Sequence, residues 1–418
     1  MSRKFTIAVI GCGNRGLMFA SKMQSMTDRF EIAALCEARG DAAEKCKKVL
    51  GVTDDVLFSD EDEFFKKKRA DALVIATYDR DHVRHAVAGM ELGYDILLEK
   101  PITDSEAELD MLLEVQKKTG SKVLVCHELR YVPSFRLADK WLKDGEIGQL
   151  MQIEATERVA YFHFAQAYVR GPFRSSASSH PLVLAKCSHD LDLLRHYVGE
   201  RCETVCSDGD TSFFIKENKP DFAAERCVDC RYKNECIYSA KKIYIDGWHK
   251  AGEPADGWPY SKITQSVPIT EESLYEGIGS GMYGTCVFGG DNDTCDRQSV
   301  LMRFENGVIA TLNIAVAAYP GRRINFFGSK GEILLDERKG TVDLYRFGDD
   351  PVSVSIDSIR ENKSGHGGGD DNLVDVFYKV LCGEADTETS LEKSIESHRM
   401  GIAAEKSRKN GGMPIKVI

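Results

Sequence analysis

Three glycines, Gly11, Gly13 and Gly16, stand at G-x-G-x-x-G spacing in IAVIGCGNRG, directly after an apolar run and before LMFASKM. That spacing suits a phosphate cradle. The first glycine allows a tight turn, the second lets a pyrophosphate approach the backbone, and the third lets helix and strand pack closely. Asn14 and Arg15 lie in the same loop and are expected to line the same ligand. The next apolar run ends at Glu37, roughly the twenty residues on where an acid would accept both hydroxyls of an adenosine ribose. Glu37 would repel a 2′-phosphate, so NAD is expected over NADP. Arg39 could stack on adenine or pair with that phosphate, which leaves NADP open.

A second cluster has metal-like spacing. CVDCRYKNEC places Cys227, Cys230 and Cys236 as C-x2-C-x5-C. Three thiolates at this spacing can hold a structural zinc if Cys202, Cys206 or a histidine adds a fourth ligand. The surrounding region has few apolar residues, and there a metal would help folding most. The competing reading is reduced thiols. The 13 cysteines are odd in number, and Cys12, Cys36, Cys126 and Cys187 sit in or beside apolar runs, where cysteine behaves as a small hydrophobe.

The elements that position these residues fall into two halves. Residues 5 to 126 alternate short apolar strands (FTIAVI, EIAALC, ALVIAT, DILLE, KVLVC) with amphipathic helices such as DAAEKCKKVL. This pattern predicts an α/β, doubly wound parallel sheet of Rossmann type over residues 1–126. Thr77 and Tyr78 end the strand that begins ALVIA and His82 opens the next helix, so all three should face the cofactor crevice. Residues 127–418 predict an α+β domain with a large, mostly antiparallel sheet. Asn306-Gly307 should form a hairpin within it, and two helices should close the chain. Residues 216–296 carry little periodicity and read as a Cys-containing insertion. The net charge of -11 argues against nucleic acid and anionic lipid as partners. No run approaches the ~18 apolar residues of a membrane span, and the N-terminus has no cleavage-site pattern, so a cytoplasmic protein is expected.

LLEKPIT, residues 97 to 103, ends a parallel strand, where ligands of open α/β sheets sit. With it the chain resembles the Gfo/Idh/MocA family of NAD(P)-dependent sugar and cyclitol dehydrogenases. The resemblance runs the whole length, through VIGCGNRG, EKPIT, VCHELRYVPSF, DGEIGQL and CSHDLDLLRHYVG. It implies that Lys100, next to Pro101, hydrogen-bonds a substrate hydroxyl near the nicotinamide ribose. It also implies that His189 of the H-x-x-D helix is the acid/base or a hydroxyl ligand beside it. The chemistry agrees, because removing hydride from a secondary alcohol needs a base for the hydroxyl proton and imidazole titrates near neutrality. An ammonium beside it would stabilise the alkoxide. Many members carry an acid four residues before the histidine, where this chain has Ala185 followed by Lys186. Lys186 thus competes as base or substrate ligand, with Asp190 or Asp192 orienting His189. Glu99, Arg130 and Tyr131 lie where the family lines its cleft, and His163, Arg170 and His366 are further candidates for substrate binding.

The leading functional expectation is hydride transfer between nicotinamide and a sugar, sugar derivative or cyclitol. Two alternatives stay open: glycoside cleavage through transient oxidation by bound NAD, and a nucleotide-sensing protein without chemistry. A homodimer or homotetramer is expected, since a large apolar sheet face would otherwise be exposed.

Overall fold

Strands β1 (Phe5–Ile10), β2 (Phe30–Cys36), β3 (Leu57–Phe58), β4 (Ala72–Ile75), β5 (Asp95–Leu98) and β6 (Val123–Val125) form one parallel sheet ordered β3-β2-β1-β4-β5-β6. The computed structural model describes residues 3–290, 292–360, 365–386 and 388–417. All four residues of β4 are buried, as expected for a parallel strand covered by helices on both faces. The two-residue β3 has no periodicity to show, and it escaped the sequence reading. Strand order reverses between β1 and β4, which places the ligand crevice above their carboxyl ends.

The second sheet comprises β7 (Leu150–Ala160), β8 (Cys202–Asp210), β9 (Arg297–Phe304), β10 (Ile309–Ala318), β11 (Gly321–Gly328), β12 (Gly331–Asp336), β13 (Thr341–Arg346), β14 (Val352–Ser355) and β15 (Ile415–Lys416). Its order is β14-β13-β12-β11-β7-β10-β9-β8-β15, and only β7 and β10 pair in parallel. β9 and β10 pair antiparallel across Asn306-Gly307. One face buries Ile153, Ala155, Leu312 and Phe326 against helices. The other face carries Glu154, Thr156, Arg158, Ser299, Leu301, Asn313, Arg323 and Asn325. This corrects the sequence expectation: the free face is polar and charged, so aversion to water is not a reason for it to be covered.

The C-terminal helices tie the two sheets together. Helix Gly369–Cys382 packs Leu373, Val374 and Phe377 into the core that contains Phe5, Val9 and Leu97 of the first sheet. Helix Leu391–Lys409 lies under the second sheet, yet its His398 Nε2 accepts a hydrogen bond from Ile102 N at 2.9 Å, just past the Lys100-Pro101 turn. The region 216–296 has its own small core, including Ala240, Tyr244, Ile245, Leu274 and Ile278. Among the described residues, no helix is long and apolar enough to cross a membrane.

The glycine loop is closed sterically. A Cβ on Gly16 would stand 1.9 Å from Gly11 O, while nothing lies within 4 Å of one on Gly40. Relieving such an overlap costs about 1–3 kcal/mol. Gly16→Ala should therefore lower the melting temperature by several degrees (about 2–4 °C per kcal/mol). Gly40→Ala should leave it unchanged; thermal unfolding followed by circular dichroism checks the pair.

Candidate active site

β1 delivers the loop to the start of helix Asn14–Ser25, whose N-cap is Gly13, with no side chain capping it. The first-turn N–H groups therefore remain available to an anion. Gly11 has φ +83°, and a Cβ there would meet the Ala76–Thr77 backbone at 2.6 Å, whereas one on Gly13 would touch only the Arg39 guanidinium, at 3.8 Å. Space thus exists where a pyrophosphate would approach. Glu37, buried at the end of β2, accepts from Cys12 N at 2.9 Å and Arg39 N at 3.0 Å, with Arg39 Nε 3.2 Å away. Arg39 is thus partly neutralised by the acid beside it. These residues fit the adenosine end of NAD.

The other crevice candidates divide. Tyr78 is exposed. The Thr77 hydroxyl meets His85 Nδ1 at 3.1 Å. His82 is buried, with its ring nitrogens 2.7 Å from Pro101 O and 3.3 Å from Thr77 O. It clamps two strand ends together and does not project into the crevice.

Arg15 also departs from the expected role. Its guanidinium turns inward, with Nε 2.5 Å from Glu99 Oε1 and Nη2 3.0 Å from Asp370 and 3.7 Å from Glu128. Burial alone would push the Glu99 carboxyl up, but Arg15 and Lys100 outweigh it and hold Glu99 below the usual carboxylate range. Glu99 Oε2 in turn accepts from Lys100 N at 3.1 Å, and Glu128 Oε1 lies 3.5 Å from His189 Nε2. One cation therefore organises both candidate catalytic residues.

Lys100 Nζ donates to Ala185 O at 3.2 Å, at the position where the family pattern has an acid. Lys186 pairs with Glu157 at 3.2 Å, Glu157 with Arg322 at 3.1 Å, and Arg322 with Asp190 through two hydrogen bonds. Burial raises the Asp190 carboxyl despite Arg322, and Asp190 thus serves as an anchor for this chain of charges. Burial, then Lys186, pulls the His163 imidazole down to about 3, so a neutral ring stands beside two ammonium groups. Sequence reasoning missed Glu157, Arg322, Glu128 and Asp370. Only Glu157 left a signal: it occupies an inward position of β7, in register with Ile153, Ala155 and Val159.

Several candidates are placed elsewhere. Arg130 makes two hydrogen bonds with Asp192, at 2.6 and 3.0 Å, which locks the H-x-x-D helix to the segment after β6. Tyr131 is fully buried, its hydroxyl against Thr389. Buried Arg170 donates to Thr285 O and Tyr238 O and to the Cys227 thiol. It pins the insertion, and no substrate role follows. The side chain of His366 lies outside the described residues. The zinc expectation is also corrected. Among the described residues no group of three or more His, Cys, Asp or Glu side chains could hold a metal ion, and Cys227, Cys230 and Cys236 are free thiols. The insertion has an apolar core of its own.

Arg15→Met would remove the shared cation from three buried carboxylates, Glu99, Glu128 and Asp370, a change that typically costs about 3–5 kcal/mol. In the wild type, Glu99 lies below its unfolded value, so its stabilisation is complete above the ordinary carboxylate range and is lost as pH falls through the folded value. In the variant the carboxyls lose that cation and their folded values rise, so protonation relieves part of the deficit. Urea unfolding should show a large deficit at pH 7.5 that narrows by pH 5. An equal deficit at both pH values would contradict the network.

Residues 5–127 match the GFO_IDH_MocA model, described as an oxidoreductase family with an NAD-binding Rossmann fold, and residues 140–417 match the family's C-terminal alpha/beta domain. The putative oxidoreductase YteT of Bacillus subtilis is 25% identical over 414 residues, 90% of this chain and 91% of its own. Myo-inositol 2-dehydrogenase of Thermotoga maritima is 24% identical over 49% of this chain and 58% of its own. A solved levoglucosan dehydrogenase, in complex with NADH and levoglucosan, shares the fold at TM-score 0.72 and 16% identity, covering 99% of this chain and 100% of that one. With both halves matched, the chain belongs to the Gfo/Idh/MocA family of oxidoreductases with an NAD-binding Rossmann fold.

Proposed function

We propose that this oxidoreductase uses NAD to oxidise a secondary hydroxyl of a sugar, sugar derivative or cyclitol, or runs the reverse reduction. The observation that carries the reading is the meeting of Lys100, from the carboxyl end of β5, with the Ala185–His189 segment of the other half. The names of the inositol and levoglucosan dehydrogenases support a polyhydroxylated substrate.

When bound, NAD supplies the hydride acceptor. The chain's own residues handle the proton. Lys100 would donate to the substrate oxygen and stabilise negative charge as it develops. His189 would take the hydroxyl proton, and Glu128, 3.5 Å away, would favour the imidazolium that results. Lys186 is held in its ion pair with Glu157, which suits a substrate ligand better than a base. His163 faces the same group of charges as a neutral hydrogen-bonding partner. We also infer a homodimer or homotetramer, whose contact would have to match the polar sheet face described above; light scattering reads this directly.

Removing a group that acts in the transition state lowers kcat more than it raises KM. His189→Ala should lower kcat by ~10²–10⁴-fold, the usual contribution of general acid–base catalysis. Lys100→Met should do comparable damage with NAD affinity within a few-fold. The assay is nicotinamide absorbance across a panel of inositols and sugars. No NAD binding and no turnover on the whole panel would defeat the proposal. A basic limb of the pH–rate profile that survives in His189→Ala but vanishes in Lys186→Met would move the base to Lys186.

Cofactor preference should follow Glu37, whose like charge disfavours a 2′-phosphate. NAD should bind more tightly than NADP, and Glu37→Ser should narrow or reverse the difference. A wild-type preference for NADP would show that Arg39 dominates.

A further inference from the structure

The segment VCHELRYVPSF contributes a side chain that the proposed reaction leaves unused. Strand β6 ends at Val125, and two residues later His127 stands fully buried, its backbone N–H donating to Val125 O at 2.7 Å. Its ring meets rings from two distant helices. Against His189 of helix Ser188–Val198 it makes a T-shaped contact, with centroids 5.7 Å apart and planes at 80°. The ring of His398, from helix Leu391–Lys409, lies 6.0 Å away at 51°.

The nitrogens of this ring carry none of the fold's hydrogen bonds. Neither Nδ1 nor Nε2 has a hydrogen-bond partner among the described residues, although buried polar atoms are ordinarily paired. Asp192 Oδ1 stands 3.9 Å from Nε2, beyond hydrogen-bonding range. Both Asp192 oxygens are already engaged by Arg130. His398 is committed as well, since its Nε2 accepts from Ile102 N at 2.9 Å while its Nδ1 donates to Ser394 O at 2.8 Å. Those two bonds fix its tautomer and its plane, and it becomes a rigid backing for His127. Burial outweighs Asp192 and pulls the His127 imidazole down to about 4, so at neutral pH an uncharged ring faces His189. The contact with His189 is the interaction that this ring has to offer.

We propose that His127 is a positioning residue for His189: backed by the fixed ring of His398, it holds the His189 imidazole in the orientation that keeps Nε2 toward Glu128, 3.5 Å away. The proposal rests on the reading of His189 as the base. An imidazole that takes a hydroxyl proton must keep its acceptor nitrogen within about 0.5 Å and 10–20° of the productive geometry. Ala185, four residues before His189, has no side-chain acceptor with which to orient it. Ring packing supplies that restraint here, and a ring without charge does not oppose the imidazolium that forms.

The test compares wild type, His127→Leu and His127→Phe. The first removes the ring, and the second restores a ring without nitrogens. NMR of histidine-labelled protein follows the His189 ring, assigned by the loss of its signals in His189→Ala, and this measurement needs no substrate. Sharp signals of a single tautomer are expected in wild type and His127→Phe, and exchange-broadened or mixed-tautomer signals in His127→Leu. On any inositol or sugar that the wild type turns over, His127→Leu should lower kcat by about ten- to a hundredfold and leave KM within about twofold. His127→Phe should recover most of that loss. Both variants should melt near the wild-type temperature, because no side-chain hydrogen bond is removed. Sharp single-tautomer His189 signals in His127→Leu overturn the proposal, and so do equal kcat losses in two variants that melt normally, or a loss that falls on KM alone. A large drop in the melting temperature of His127→Leu would make the role structural and refute the assignment. If His127→Phe alone melts early, the larger ring does not fit, and His127→Leu against wild type decides. If the wild type turns over nothing, the dehydrogenase reading fails, and the NMR comparison still decides whether His127 orients His189.

Discussion

The buried guanidinium of Arg15 is the interaction on which the site depends. It gathers Glu99 from the end of β5, Glu128 from the segment after β6, and Asp370 from a helix hundreds of residues downstream. Unpaired, each carboxylate would be costly to bury; around one cation they become mutually supporting. The geometry also demands close backbone approach. A Cβ on Gly369 would sit 2.5 Å from Glu128 O, so glycine is required just before Asp370 for that helix to reach the cluster. Because Glu99 then receives the Lys100 N–H and Glu128 faces His189, the same cation orients groups from both halves of the chain.

A second set of charges surrounds Lys186. Lys186, Glu157, Arg322 and Asp190 alternate in sign, so two cations and two anions can share a buried space with little net charge. The chain departs from its family at Ala185, and the structure shows what replaces the missing acid there: a backbone carbonyl accepts from Lys100. A carbonyl can hold the ammonium in place but cannot exchange a proton with it.

The halves are joined by specific contacts as well as by the chain. Arg130 with Asp192 fixes helix Ser188–Val198 to the segment leaving the first sheet, and His398 accepts from Ile102 just beyond the Lys100-Pro101 turn. On the opposite side Lys45 meets Asp256 of the insertion. The crevice is consequently bounded by elements from widely separated stretches of sequence.

What the sequence determined alone was local in origin. The glycine spacing, the acid closing β2, the alternation of apolar strands with helices, and the Asn306-Gly307 hairpin all follow from steric and periodic rules that act over a few residues. Lys100 and His189 became candidates because short motifs mark them, and the fold brings their segments together. The two-residue β3 was too short for any period to show. The partners of Arg15, the engagement of Arg130 and Tyr131 within the interior, and the polar character of the free sheet face were settled only in the folded chain. The C-x2-C-x5-C spacing could not say whether its thiols make a ligand set, and no group of three or more His, Cys, Asp or Glu suited to a metal stands among the described residues. The physical reason is the same throughout. A charged side chain is given its role by whichever opposite charge burial brings to it, and that partner can lie hundreds of residues away, as Asp370 does from Arg15.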